Sequence, residues 1–260
     1  MNNFCDTPRR RFLKQSGSLV SVTGLASANP AKLLSAARPQ PGFSAGAAQR
    51  DVTPPVGMEI LHFYRNNVGV HDPLFVRALV IADATGKSVA LVTGDFLGAG
   101  FVCCDEIRTR VREKTGVDEV WFSTSHTHSG PVVGQNLAPL HYAILDAEQQ
   151  ELIDDYAERL PKRVSMAVKG AIDVLAPAKV QWGSGKAVFA VNRRENKPYG
   201  AVPDLRARGA LKGPVDHDVP VLSVRGEGGE LRAVLFGYAC HATTLSFQQW
   251  NGDYPGYAQI

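Results

Sequence analysis

The stretch from Val89 to Thr124 limits the possible folds more than any other. Val89 to Thr93 is a β-prone run, and Gly94-Asp95-Phe96 follows it. Cys104 to Lys114 reads as a helix of about three turns that Gly116 closes in the left-handed conformation, and Val120 to Thr124 is β-prone again. Strand, helix, strand over this length is a βαβ unit, so the strands ending at Asp95 and His126 should run parallel, joined by a crossover. Open parallel sheets carry their chemistry just beyond the carboxyl ends of the strands. Asp95, His126 and His128 are therefore expected along one rim.

The second strand runs into Ser125-His126-Thr127-His128-Ser129-Gly130-Pro131. If the chain stays extended to His128, the two imidazoles face the same side roughly 7 Å apart and Thr127 points away. Such a pair can share one metal, or divide into a ligand and an acid–base or substrate contact. It could also be two polar residues on a loop, but rings at a strand exit cost burial and favour no particular turn.

Upstream, His71-Asp72-Pro73 precedes a strand from Val76 to Ala82, and Asp83-Ala84-Thr85-Gly86 turns it into Val89 to Thr93. Residues 148–175 have a long helical period (Leu152, Tyr156, Leu160, Val164, Val168, Ile172) with Pro161 inside it, which predicts a kink or break. Tyr156 and Met166 read as core. After Pro177 the chain is β-rich, with strands expected at Lys179 to Trp182 and Ala187 to Val191, then a loop with little periodicity from Glu195 to Gly213. A hairpin should pair Val219–Arg225 with Leu231–Ala239 across Gly226-Glu227-Gly228-Gly229. Its second strand delivers Cys240 and His241. Strand neighbours face opposite sides, so Cys240 should be packed and His241 should reach the other face. The fold class is thus α/β: a mixed sheet with at least one parallel βαβ unit, flanking helices and a β-rich C-terminal half.

The N-terminus reads as an address. Pro8-Arg9-Arg10-Arg11-Phe12-Leu13-Lys14, a weakly apolar Gly17 to Leu25, and the small-x-small Ala26-Ser27-Ala28 make residues 1–28 a twin-arginine signal peptide. Export to the periplasm or beyond follows. That segment holds four cations and one anion, so its removal takes the formal +3 to zero and leaves no charge argument for nucleic-acid binding. Residues 29–48, rich in Ala, Pro, Ser and Gly, read as a flexible linker, and residues 49–260 as the folded domain. Four cysteines make no disulfide framework: Cys5 lies in the signal, and Cys103 and Cys104 are adjacent. No run of 18 apolar residues predicts a membrane-spanning helix. The last ten residues, from Asn251 to Ile260, read as a loop leading into a helix that never arrives, as in a truncated chain.

Several of these segments together resemble the neutral, non-lysosomal ceramidases, specifically their N-terminal catalytic domain, over about residues 46–260. They are Arg50-Asp51-Val52-Thr53-Pro54-Pro55-Val56-Gly57, the His-Thr-His-Ser-Gly-Pro string, Asn192-Arg193, Ala239-Cys240-His241-Ala242 and Gly252-Asp253-Tyr254-Pro255-Gly256-Tyr257, in the family's order. Asp-Tyr-Pro-Gly-Tyr looks more like divergent bacterial relatives. The resemblance implies one zinc ion held by His126 and His241, with His128 and Arg193 facing substrate as the catalytic pair. The family's glutamate and tyrosine ligands, and the segment with its proposed nucleophilic serine, are expected beyond Ile260, in a missing C-terminal half. The implied reaction is hydrolysis of the N-acyl amide of ceramide or a related N-acyl lipid. The implied partners are an N-acyl sphingolipid or other N-acyl small molecule, with peripheral contact at a membrane surface. The competing readings are a catalytically incomplete fragment or binding module of the same fold, and a hydrolase of another ester or phosphoester. For the last, only Asp95 and Asp253 offer extra carboxylates.

Overall fold

The computed structural model describes residues 42–61, 65–245 and 248–260. The expected signal peptide and most of the linker lie outside them. Seven strands form one mixed sheet: β1 (Phe43–Asp51), β4 (Phe75–Ala82), β5 (Ser88–Gly94), β7 (Glu119–Thr124), β9 (Ala176–Lys186), β10 (Asp218–Gly226) and β11 (Leu231–Phe236), in the order β11-β10-β9-β1-β4-β5-β7. Short pairs β2 (Glu59–Ile60) with β3 (Arg65–Asn66), and β6 (Gly98–Ala99) with β8 (Val132–Val133), complete the strands.

The βαβ expectation holds. β5 and β7 pair in parallel, Val89 opposite Glu119 through Gly94 opposite Thr124, while the other neighbours in the large sheet are antiparallel. Helix α1 (Phe101–Thr115) connects them; Cys103, Ile107 and Val111, spaced by four, form its buried stripe. Gly116, at φ 72°, sends its N–H back to Arg112 and closes the helix as expected. The turn between β4 and β5 also forms, with the Asp83 carboxylate accepting the Thr85 N–H at 2.8 Å.

Helix α2 (Ala147–Asp173) is capped by the Asp146 carboxylate, which accepts the Gln149 N–H. It runs unbroken through Pro161, so of the expected kink or break the break does not occur. Pro161 lies in the buried stripe with Leu160 and Val164, and packing on the sheet outweighs the lost backbone bond. Tyr156 is core, its hydroxyl donating to the Val52 carbonyl. Met166 is not: it is 46% exposed on the helix's outer side.

β1 begins at Phe43, seven residues ahead of Arg50, so residues 43–48 belong to the sheet and not to the linker. A Cβ on Gly46 would lie 2.1 Å from the Ala171 carbonyl oxygen of α2, so helix backbone rests directly on strand backbone there. The main core fills the layer between the sheet and α1 and α2, while the second cluster of buried side chains is far smaller, built on Ala45, Leu79, Ala178 and Val224.

In the β-rich half, β9 stops at Lys186, and Ala187 to Val191 form no strand. The Tyr238 hydroxyl pins that segment, donating to the Ala187 carbonyl and accepting the Ala190 N–H. The expected loop contains a short helix, α3 (Val202–Ala207). The hairpin of β10 and β11 forms, but β11 ends at Phe236, before Cys240 and His241. A helix does arrive at the C-terminus: α4 (Asp253–Ala258). No helix among the described residues is long and apolar enough to cross a membrane.

Candidate metal centre

β7 ends at Thr124, so an extended strand does not bring the two histidines together. Ser125 still bonds to the Gly94 carbonyl, and His126 then turns into the left-handed region at φ 59°. That conformation is costly for a residue with a Cβ, and the surrounding bonds hold it. The His126 Nδ1–H donates to the Leu97 carbonyl at 2.7 Å. Thr127, fully buried, donates its hydroxyl to the Asn251 carbonyl and accepts the Ser129 N–H. Gly130 returns its N–H to the Thr127 carbonyl, and a Cβ there would sit 2.8 Å from the Asp95 carbonyl oxygen. The His128 N–H donates to the Ala242 carbonyl, tying this loop to the one that carries His241.

His126 and His241 meet, although far apart in sequence. Their ring centroids are 4.8 Å apart, and those of His128 lie 5.0 Å from His126 and 4.7 Å from His241. One ligand atom from each ring lies within 4.8 Å of the other two. The His128 and His241 Nε2 atoms are 2.7 Å apart, so one donates to the other's lone pair. His128 is therefore as central as the other two.

The donor set fits a metal of zinc's type. With its Nδ1–H committed to Leu97, neutral His126 presents the Nε2 lone pair, the arrangement in which a carbonyl fixes the tautomer of a ligating imidazole. His241 is pushed below its ordinary pKa, chiefly by burial and then by His126, Arg193 and Arg194, so its neutral, ligating form is favoured. Zinc requires nitrogens at about 2.0–2.1 Å, roughly 3–3.5 Å from one another, and the three rings already bring one ligand atom each within 4.8 Å of the others.

Arg193 is exposed and close enough for its charge to act on His241. Its loop is built by Asn192, whose side-chain oxygen accepts the Arg194 and Glu195 N–H groups. Asn196, almost wholly buried, donates to the Asn192 and Lys212 carbonyls.

Neither extra carboxylate joins the cluster of ligand atoms. Asp95 is buried and accepts from the Phe75 N–H and the Arg77 guanidinium, both at 2.9 Å. Asp253, fully buried, receives the Thr244 N–H and hydroxyl, the Leu245 N–H and the Tyr254 N–H. Cys240 is half-buried and its thiol is pushed up by burial, while burial pushes Cys103 up to about 12. Cys103, Cys104 and Cys240 are all free. Sequence reading gave no structural role to Thr127, Asn192, Asn196 and Asn251; the signal for such roles was short polar side chains in turn-forming strings.

Residues 43–260 match the family model of the neutral/alkaline non-lysosomal ceramidase N-terminal region. The neutral ceramidases of Drosophila pseudoobscura pseudoobscura and Drosophila melanogaster are each 26% identical over 233 residues, covering 84% of this chain and 32% of their own length. The chain thus spans about a third of the curated relatives it matches. Among solved structures, neutral ceramidase from Pseudomonas aeruginosa superposes with a TM-score of 0.66 at 23% identity, over 84% of this chain and 35% of that one. A ceramidase complexed with C2 gives 0.65 at 22%, over 84% and 34%. The fold is shared with both, and the chain belongs to the neutral/alkaline non-lysosomal ceramidase family, matched through its N-terminal region.

Proposed function

We propose that this chain contributes the histidines of a single zinc centre that hydrolyses the N-acyl amide of ceramide or a related N-acyl lipid. The observation that carries the reading is the convergence of His126, His128 and His241 in a domain of this family. His126 and His241 are the proposed ligands. Zinc would supply Lewis acidity, polarising the amide carbonyl and making water acidic enough to react near neutral pH. His128, whose Nε2 touches the His241 ring, would take a proton and return it to the leaving amine. Arg193 offers a guanidinium to an oxyanion or to the product carboxylate through charge-assisted hydrogen bonds. The engaged states of Asp95 and Asp253 weigh against a carboxylate-rich two-metal site for phosphoesters.

One observation favours a second reading, a binding module of the same fold: among the described residues no carboxylate joins the three imidazoles. Hydrolysis of a fluorescent N-acyl sphingosine by the full chain decides between them. The catalytic reading expects activity that a chelator abolishes and zinc restores, and a His128→Ala variant slower by about 10²-fold or more. Zinc bound without turnover would support the catalytically incomplete fragment or binding module of the same fold. Turnover indifferent to chelation and to His128→Ala would overturn the zinc mechanism.

A further inference from the structure

The segment Asn251-Gly252-Asp253-Tyr254 has no part in the chemistry proposed above, yet it touches both histidine loops. On one side, the Thr127 hydroxyl donates to the Asn251 carbonyl at 2.9 Å, and the Asn251 N–H donates to the Ser129 carbonyl at 3.1 Å. Thr127 and Ser129 are the immediate neighbours of His128, and Thr127 follows His126. On the other side, the grip is on both flanks of His241. The Tyr254 hydroxyl donates to the carbonyl of Cys240, the residue before it, at 2.6 Å. The Asp253 carboxylate takes the Thr244 hydroxyl at 2.7 Å and the Leu245 N–H at 2.7 Å, the turn just after it.

The segment is itself rigidly built. Asn251 and Asp253 are fully buried, and the Asp253 N–H donates to the Asn251 side-chain oxygen at 3.0 Å. Asp253 stands in the left-handed region at φ 52°, a strained state for a residue with a Cβ that asparagine and aspartate tolerate best. Burial pushes the Tyr254 hydroxyl well above its ordinary range, so it remains a donor. A buried carboxylate with so many short donors is costly unless all of them are kept, so its geometry is closely determined. Phe189 and Tyr238 pack against the Tyr254 ring at 5.3 and 6.4 Å between centroids and hold it in place.

We infer that Asp253 and Tyr254 are positioning residues that clamp the His241 loop against the His126–His128 loop and so set the metal geometry. Their hydrogen bonds go to the residues flanking His241, and the Asp253 charge also reaches the His241 ring. Their effect passes through backbone groups on either side of His241, while Asn251 fixes the same frame to the opposite loop. This rests on the metal reading above for its functional meaning, but the clamp itself is a property of the metal-free chain.

The test uses the full chain and two readouts. In the metal-free protein, NMR contacts between the ring protons of His128 and His241 report the clamp. In chelator-competition titrations, the zinc dissociation constant reports its consequence. Tyr254→Phe removes one hydrogen bond and keeps the ring, and Asp253→Asn keeps the left-handed backbone but loses the acceptor facing Leu245. Tyr156→Phe is the control, because it removes another buried tyrosine-to-backbone hydrogen bond, to the Val52 carbonyl, which belongs to neither histidine loop. Outer partners of metal ligands are typically worth about 10- to 100-fold in affinity. Tyr254→Phe and Asp253→Asn should each weaken zinc by about that factor and lose the ring contacts. Tyr156→Phe should leave both unchanged even if it lowers the unfolding midpoint. Ring contacts that survive both substitutions would overturn the clamp, as would an equal loss in Tyr156→Phe. A wild-type chain that binds no zinc would refute the metal reading, while the ring contacts would still decide the clamp.

Discussion

Leu160, Ile107 and Val80 lie between the sheet and its two long helices with at most 1% exposure, whereas His126 and His241 stand exposed at the rim. The first group is held by non-directional burial, which any well-packed apolar neighbour supplies. The second is held by directed hydrogen bonds to single backbone atoms: Leu97 for His126, Ala242 for His128, and Asp253 and Tyr254 around His241. The difference teaches that stability and site geometry are separable here. The core should lose energy without moving the rings, and the rim should lose a bond without unfolding the sheet.

The largest expected effect breaks the core alone. Leu160→Ala should lower the unfolding free energy of the metal-free chain by about 2–5 kcal/mol in urea denaturation. Below the transition it should bind zinc as tightly as the parent. Weakened zinc binding in that folded state would show that core and rim are coupled and would spoil the contrast.

A smaller effect sharpens the contrast from the rim side. His241 is held below its ordinary value of 6.5, first by burial and then by His126, Arg193 and Arg194, and His141 is lowered by burial. In the unfolded chain both take up a proton near pH 6.5, which the folded chain accepts only at lower pH. Their contribution is therefore fully present above pH 6.5 and is lost as pH falls through the folded values. The metal-free chain should lose stability on acidification below about pH 6.5, and His241→Gln should flatten part of that slope. An unchanged slope in His241→Gln would contradict the depressed value.

The parts of the fold legible in the sequence are those written in apolar periodicity and glycine. Ile107 and Val111 with Gly116 mark α1, and the runs on either side of it mark β5 and β7. β1 was hidden because Ala-Gly-Ala has no β signature; Gly46 is there for the close approach of α2, a tertiary demand no local pattern shows. Pro161 does not break α2 because packing carries the helix through it, and Ala187 to Val191 misled because a β-prone composition is held by Tyr238 instead of by a partner strand. At the site, the histidines were visible as rings at two strand exits. Their convergence was right for a different reason than the pleat, since His126 turns in at a positive φ after the strand has ended. Asp253 was visible as part of the Gly252–Tyr257 string and as a spare carboxylate, not as a latch, because a buried latch and a free ligand share one letter.

The central claim is that His126 and His241 hold one metal with His128 beside it. Zinc content per chain, measured on the purified full chain and on three alanine variants, tests it most directly. The account predicts about one zinc in the parent and in His128→Ala, and loss of retained zinc in His126→Ala and His241→Ala. Full occupancy after either of those two substitutions would contradict it.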